Sequence, residues 1–329
     1  MIRNKTPFET VVFPFRWPNG QWKAVIVVKA NFHIEPEANA KLSAENADIF
    51  SSDQFYDQDI NKSIQFASDL VPKKVNIDVA VQGNAYSRDG IPVGESTVSL
   101  RFGKIKKQLR VLGKRHWREG LILPSLSKPQ VWSIRELRYE YTYGGQDLSR
   151  KKRFMQNPIG CGFKSWGTKE KNARVPSIFY KGDSVEAFNK KTRPAGFGFV
   201  GSDCSARTQY LGTYDEEWQK NYSPNLAEDF DFRYFNSVSE DQQLMIQNLQ
   251  GQRVEIGNMH PDIAKLVFNI APDYPLLVNS ENHRYEMSLD TLCFMPDQLQ
   301  YYAVWRTQLP IDGPDLSCLD GFFLKHVRL

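Results

Sequence analysis

The chain has 329 residues, 41% of them hydrophobic and 13% aromatic, which is enough core for one large β domain or two ordinary ones and excludes disorder as the dominant state. Its 42 basic residues nearly balance its 38 acidic ones, and a net charge of +4 is too weak a field to draw nucleic acid or an anionic membrane by itself. Four scattered cysteines, Cys161, Cys204, Cys293 and Cys318, form no C-x-x-C pair, so reduced thiols and no structural metal are expected.

The first residues, MIRNKTPFETVVFPFRW, lack the unbroken apolar core of a signal peptide. No stretch approaches the roughly 18 apolar residues that span a bilayer, so a soluble, cytoplasmic protein is expected. Pro18-Asn19-Gly20 suits a hairpin turn, and AVIVVKANFHI (24–34) begins as the continuous apolar run of a strand covered on both faces. VNIDVAVQGNAY (75–86) alternates Val75, Ile77, Val79 and Val81, and Asp89-Gly90 marks a turn. ESTVSLRFG (95–103) and KQLRVLGKRHW (107–117) carry β-branched or aromatic residues at spacing two, bounded by glycines. This half predicts an antiparallel sandwich or barrel-like sheet assembly.

From about Tyr139 to Pro224 glycine, proline, aromatic and charged residues interleave with no sustained period, as in long ordered loops between short strands. Such aromatic richness is foreign to disordered linkers, so these loops are expected to pack on the sheet or on a partner. The capping-box pattern Ser237-Val238-Ser239-Glu240, followed by Leu244, Met245, Ile246 and Leu249 before Gly251, predicts a short helix near 238–250. Strand-like runs return at 265–270, 285–295 and 299–309. There is no βαβ alternation and no repeat period, so the fold class expected is mainly β with few short helices. Residues 1–138 read as a β-rich part and 139–329 as a loop-rich β part, as two units or one continuous body.

Several motifs invite a chemical reading. Gly196, Gly198 and Gly201 form a Gly-x-Gly-x-x-Gly string, but Lys190–Pro194 precede it where a buried strand belongs and no helical pattern follows, so a phosphate cradle is not expected. Cys161 sits between two glycines in NPIGCGF (157–163); a nucleophile there needs a lowered pKa and a base, for which His33, His116, His260, His283 and His326 offer no recognisable context. Asp215, Glu216, Glu217, Asp229 and Asp231 in the acidic, aromatic stretch 212–236 supply carboxylates for hydrolysis or a hard metal site if any two converge. A hydrolase using these acids or Cys161 is the alternative function. Basic clusters at 104–107, 114–118 and 150–153 read as solvated faces or as docking patches for an acidic protein.

These motifs also fit together as a series. In order, NKTPF (4–8), VVKANF (27–32), SDLVPKKVNIDVAVQGNAY (68–86), LRVLGKRHW (109–117), YEYTYGG (139–145), NPIGCGF (157–163), RPAGFGF (193–199), GTYDEEW (212–218) and DFDFRYFN (229–236) resemble a bacterial family known as a domain of unknown function and found with type VI secretion genes. Weak similarity continues through DTL (290–292) and VWR (304–306). The resemblance implies a non-enzymatic adaptor or chaperone that binds a secreted toxin effector and helps load it onto the VgrG/PAAR spike. It carries no catalytic residues, cofactor, metal, nucleic acid, membrane or small-molecule substrate with it. A partner held by a few aromatic anchors within a charged rim then points to Tyr143, Phe163, Phe197, Tyr214, Trp218, Phe232 and Tyr234.

Overall fold

The computed structural model describes residues 2–118, 125–163, 174–183, 191–247, 249–271, 276–280 and 283–326. Strands β1 (Glu9–Arg16) and β2 (Trp22–His33) form the hairpin expected from Pro18-Asn19-Gly20, closed by the Gly20 N–H donating to the Trp17 carbonyl at 2.9 Å. Along the chain follow β3 (Asn76–Val81), β4 (Glu95–Phe102), β5 (Ile105–Leu112), β6 (Ile178–Tyr180), β7 (Gln243–Met245), β8 (Arg253–Gly257), β9 (Lys265–Asn269), β10 (Ser288–Met295) and β11 (Gln300–Ile311). The α-helices among the described residues are short, α1 (Ser205–Thr208) and α2 (Glu216–Asn221). None is long and apolar enough to cross a membrane.

A seven-stranded sheet runs β7-β3-β10-β11-β2-β1, with Lys41–Leu42 paired beside β2. Its neighbours are antiparallel except β3 and β10, which run parallel with Thr291 beside Asp78. A five-stranded antiparallel sheet runs β6-β5-β4-β8-β9. A smaller sheet joins Arg3–Asn4, Phe323–His326, Leu276–Asn279 and Arg284–Glu286. The large sheet therefore combines strands from residues 1–138 and from 139–329.

The continuous apolar run on β2 is explained by two covered faces. Ala24, Ile26, Val28, Ala30 and Phe32 enter the main core, whereas Val25 and Val27 enter a second cluster on the opposite face. The main core lies between the two larger sheets, where Phe294 of β10 meets Phe102 of β4 at 5.9 Å and Phe268 of β9 at 5.6 Å, both edge to face. Each such side chain, fully removed from water, contributes about 1.5–3 kcal/mol. Two sheets joined this way make a sandwich, and both remain open rather than closing into a barrel among the described residues.

The helix expected near 238–250 is not formed among the described residues. A single 3₁₀ turn, Glu240–Gln242, leads directly into β7, whose buried Leu244 lies in register with Ile77. The capping side chains are engaged elsewhere. The Ser239 hydroxyl donates to Asp241 Oδ1 at 2.6 Å and accepts from Lys107 Nζ at 2.9 Å, and the Gln242 amide donates to the carbonyls of Val79 (2.7 Å) and Phe197 (2.8 Å). Tertiary hydrogen bonds to the sheet outweigh a local pattern that offers only about a kilocalorie per cap.

Candidate functional site

The two glycine-rich loops, distant in sequence, converge on Tyr139. Asn157, buried, donates its amide to the Tyr139 carbonyl at 3.0 Å and to Thr142 Oγ1 at 2.8 Å, which pins the first loop. Gly196 of the second loop lies against the Tyr139 ring so closely that a Cβ would sit 2.6 Å from a ring carbon. At Gly160 a Cβ would come within 2.3 Å of the Asn157 amide nitrogen. Both glycines serve close approach between chain segments, with no ligand required.

A third segment, 59–64, completes a groove. Buried Glu140 accepts from the Ser63 N–H at 2.9 Å and from the Ser63 hydroxyl, while Ser63 Oγ accepts from the Tyr139 N–H at 3.0 Å. Between these walls lies a cleft of roughly 570 Å³ with Phe55, Ile64, Ile159, Phe199 and Val200 in its lining. Phe199 and Ile64 belong to the cluster on the second face of the large sheet, so the floor is fixed to the sheet itself. Ile60 and Leu148 stand in the same cleft 74% and 82% exposed. An Arg153–Asp203 ion pair of 2.8 Å ties two of the walls together.

The seven aromatic residues predicted as partner contacts fall in other places. Tyr143 is buried with Phe154 and half-buried Phe163 in a small cluster, and Phe197 is buried in the main core. Phe232 packs on Trp17 at 5.5 Å, and Tyr234 meets Phe230 at 5.7 Å. Tyr214 is exposed and sits edge to face on Trp218 of α2 at 4.8 Å, with the Trp218 indole N–H donating to the Asn225 carbonyl. Ile60, Ile159 and Leu148 escape the sequence reading because each is a lone apolar residue among polar turn formers; only their convergence marks them.

The candidate chemical groups are held in ordinary structural roles. Burial pushes the Cys161 thiol up to about 12, as it does Cys204, the reverse of what a nucleophile needs. Asp215 caps α2 by accepting from the Trp218 N–H at 2.9 Å. The Thr213 amide and hydroxyl hold Asp229 below the usual carboxylate range, and Arg233 does the same for Asp231, whereas a general acid requires a raised value. Among the described residues no group of three or more His, Cys, Asp or Glu converges as a metal set.

The strongest electrostatic feature lies deeper. Lys29 bonds Asp69 at 2.8 Å, Arg306 pairs with Asp290, and Lys74 bonds Asp78 at 2.8 Å, all six side chains nearly or wholly out of solvent. Lys29 also stands 4.2 Å from the ring centres of Phe50 and Tyr302. Desolvation lowers the pKa of Lys29 and Lys74 despite these partners, and that of Arg306 to about 10. Perturbed groups of this kind mark active sites when they open on a cleft. These six are withdrawn from solvent, and their bonds join the segments 47–75 and 232–238 to the sheet: Asp78 accepts from the Ser237 N–H at 2.8 Å, and Arg306 donates to the Asp69 carbonyl at 2.9 Å.

Residues 19–306 match the model of the family described as "Uncharacterized protein conserved in bacteria (DUF2169)". No curated protein and no solved structure matches the chain.

Proposed function

The chain belongs to the bacterial family DUF2169, and on that premise we propose that it is a non-enzymatic adaptor that binds a type VI secretion effector in the cytoplasm and helps load it onto the VgrG/PAAR spike. The observation that carries a binding role is the apolar groove with Ile60 and Leu148 held out in solvent at its mouth. Large apolar side chains grouped in one cleft lower their free energy only when another surface covers them. The nine ordered sequence blocks, which include both groove-forming glycine loops, support the identity of that surface as an effector. An extended effector segment suits the groove's open shape, with the Arg153–Asp203 pair and Lys62 as its charged rim.

The test is co-purification from cells expressing the secretion cluster. Tagged parent protein is expected to recover an effector, VgrG or PAAR protein, and the double variant Ile60→Asp, Leu148→Asp to recover at least tenfold less with an unchanged melting temperature. Recovery of none of these proteins by the parent, or equal recovery by the variant, overturns the reading.

A further inference from the structure

A second surface, around the β6 edge of the five-stranded sheet, carries cations that no described carboxylate pairs with. Strands β4 and β5 place Lys106 directly across from Arg101, both exposed, and Lys181 follows β6, whose Tyr180 pairs with Leu109. Like charges facing each other across an antiparallel pair repel, and nothing in the strand pairing compels this arrangement. Arg193 is added to the same patch by the chain returning toward the second glycine loop. Its guanidinium lies 3.7 Å from the Tyr180 ring centre and it bonds Asp183 at 3.2 Å. Together these residues surround an open cavity of roughly 480 Å³.

The available carboxylates are already engaged. Asp241, the acid lining this cavity, accepts from Lys107 at 3.0 Å, from the Ser239 hydroxyl and from the Tyr180 hydroxyl at 2.9 Å. Glu255, the cross-strand neighbour of Arg101 on β8, bonds Lys265 and Arg253. No described carboxylate ion-pairs with Arg101, Lys106 or Lys181. On the core-facing side of the same strand, across from Leu100, Lys107 is buried and its pKa falls to about 8, chiefly through desolvation.

We propose that this patch docks an acidic segment of a partner protein, carboxylates of that segment bridging Arg101, Lys106 and Lys181 with Arg193 at the edge. The cavity is shallow and its cations are spread over several strands, which favours a polymer presenting several carboxylates over a small anion that needs enclosure. A single-stranded nucleic acid is the less suitable polyanion. Base stacking needs an open aromatic face, and the Tyr180 ring, the aromatic of this cavity, is occupied by Arg193 and by Lys107 at 5.1 Å. This surface is separate from the apolar groove, so it stands or falls independently of the effector reading.

The probe is a fluorescent deca-glutamate peptide titrated against the full chain at low and high salt, beside a labelled single-stranded DNA of equal charge. The double variant Arg101→Gln, Lys106→Gln is expected to bind the peptide at least tenfold more weakly without a lower melting temperature, because it also removes the facing like charges. A control variant, Lys151→Gln, Lys152→Gln, in the basic cluster at 150–153 is expected to bind within twofold of the parent. Equal peptide affinity in parent and Arg101→Gln, Lys106→Gln overturns the proposal. So does equal weakening by the control, which means a diffuse field, or tighter binding of the DNA than of the peptide, which means a nucleic-acid surface.

Discussion

Two clusters in this fold each bury a lysine against an aspartate, and they differ in what lies above them. Lys74 and Asp78 are covered by the 232–238 segment, with Thr291 and Ser237 completing the lysine's bonds, and every charge there has its partner within the protein. Lys107 makes three bonds of the same kind, to Ser239, Asp241 and Gln242, yet the Asp241 side chain is 41% exposed and the cluster opens onto Arg101, Lys106 and Lys181, which pair with no described carboxylate. The difference teaches that a perturbed buried lysine by itself says little about function. A sealed, balanced cluster fastens loops to the sheet, whereas an open, unbalanced one leaves a field for a partner to answer.

The largest expected effect tests the sealed cluster. Asp78→Ala leaves Lys74 buried without its counter-charge and removes acceptors for the Ser237 and Asn236 side chains, so it should cost about 3–5 kcal/mol in urea unfolding. Lys107→Met should cost only ~1–2 kcal/mol, because Asp241 is left near water and can solvate rather than stand unpaired. Equal losses in the two variants would erase the distinction between the clusters.

A pH profile sharpens it further. The folded-state pKa of Lys107, about 8, lies below its unfolded value of 10.5, so between those values the unfolded chain holds more protons. Stability should therefore rise as pH goes from about 8 to 9.5, by ~1–2 kcal/mol, with the same sign from Lys29 and Lys74. Above about pH 10 the buried tyrosines act the other way, since Tyr139, Tyr180 and Tyr302 are raised in the fold and ionise first in the unfolded chain. Denaturant midpoints across pH 7.5–9.5 should show a shallower rise in Lys107→Met than in the parent; an identical slope would remove Lys107 from the account. The smallest effect belongs to the rim of the patch: Arg193→Gln, an exposed residue bonded to Asp183 and lying over Tyr180, should change stability by no more than about 0.5 kcal/mol.

Much of the β architecture is legible along the chain because strands advertise themselves locally. The runs at 24–34, 95–103, 265–270 and 299–309 correspond to β2, β4, β9 and β11, since alternation and β-branching report a pleated surface with one or two covered faces. The same local logic failed at Ser237–Gly251, where the capping pattern is present but Lys107, Val79 and Phe197, all distant in sequence, take its polar groups. It could name both glycine loops and reject them as phosphate cradles, yet not show that Gly196 and Asn157 meet on one tyrosine. Residue spacing by itself determined a β-rich chain and the positions where its backbone must turn or pass closely, and the order of its motifs carried the family resemblance. Which side chains share a groove, which charges are sealed and which are left open were decided only by tertiary pairing, because those properties depend on segments up to more than two hundred residues apart, such as Asp69 and Arg306, brought together by sheet register.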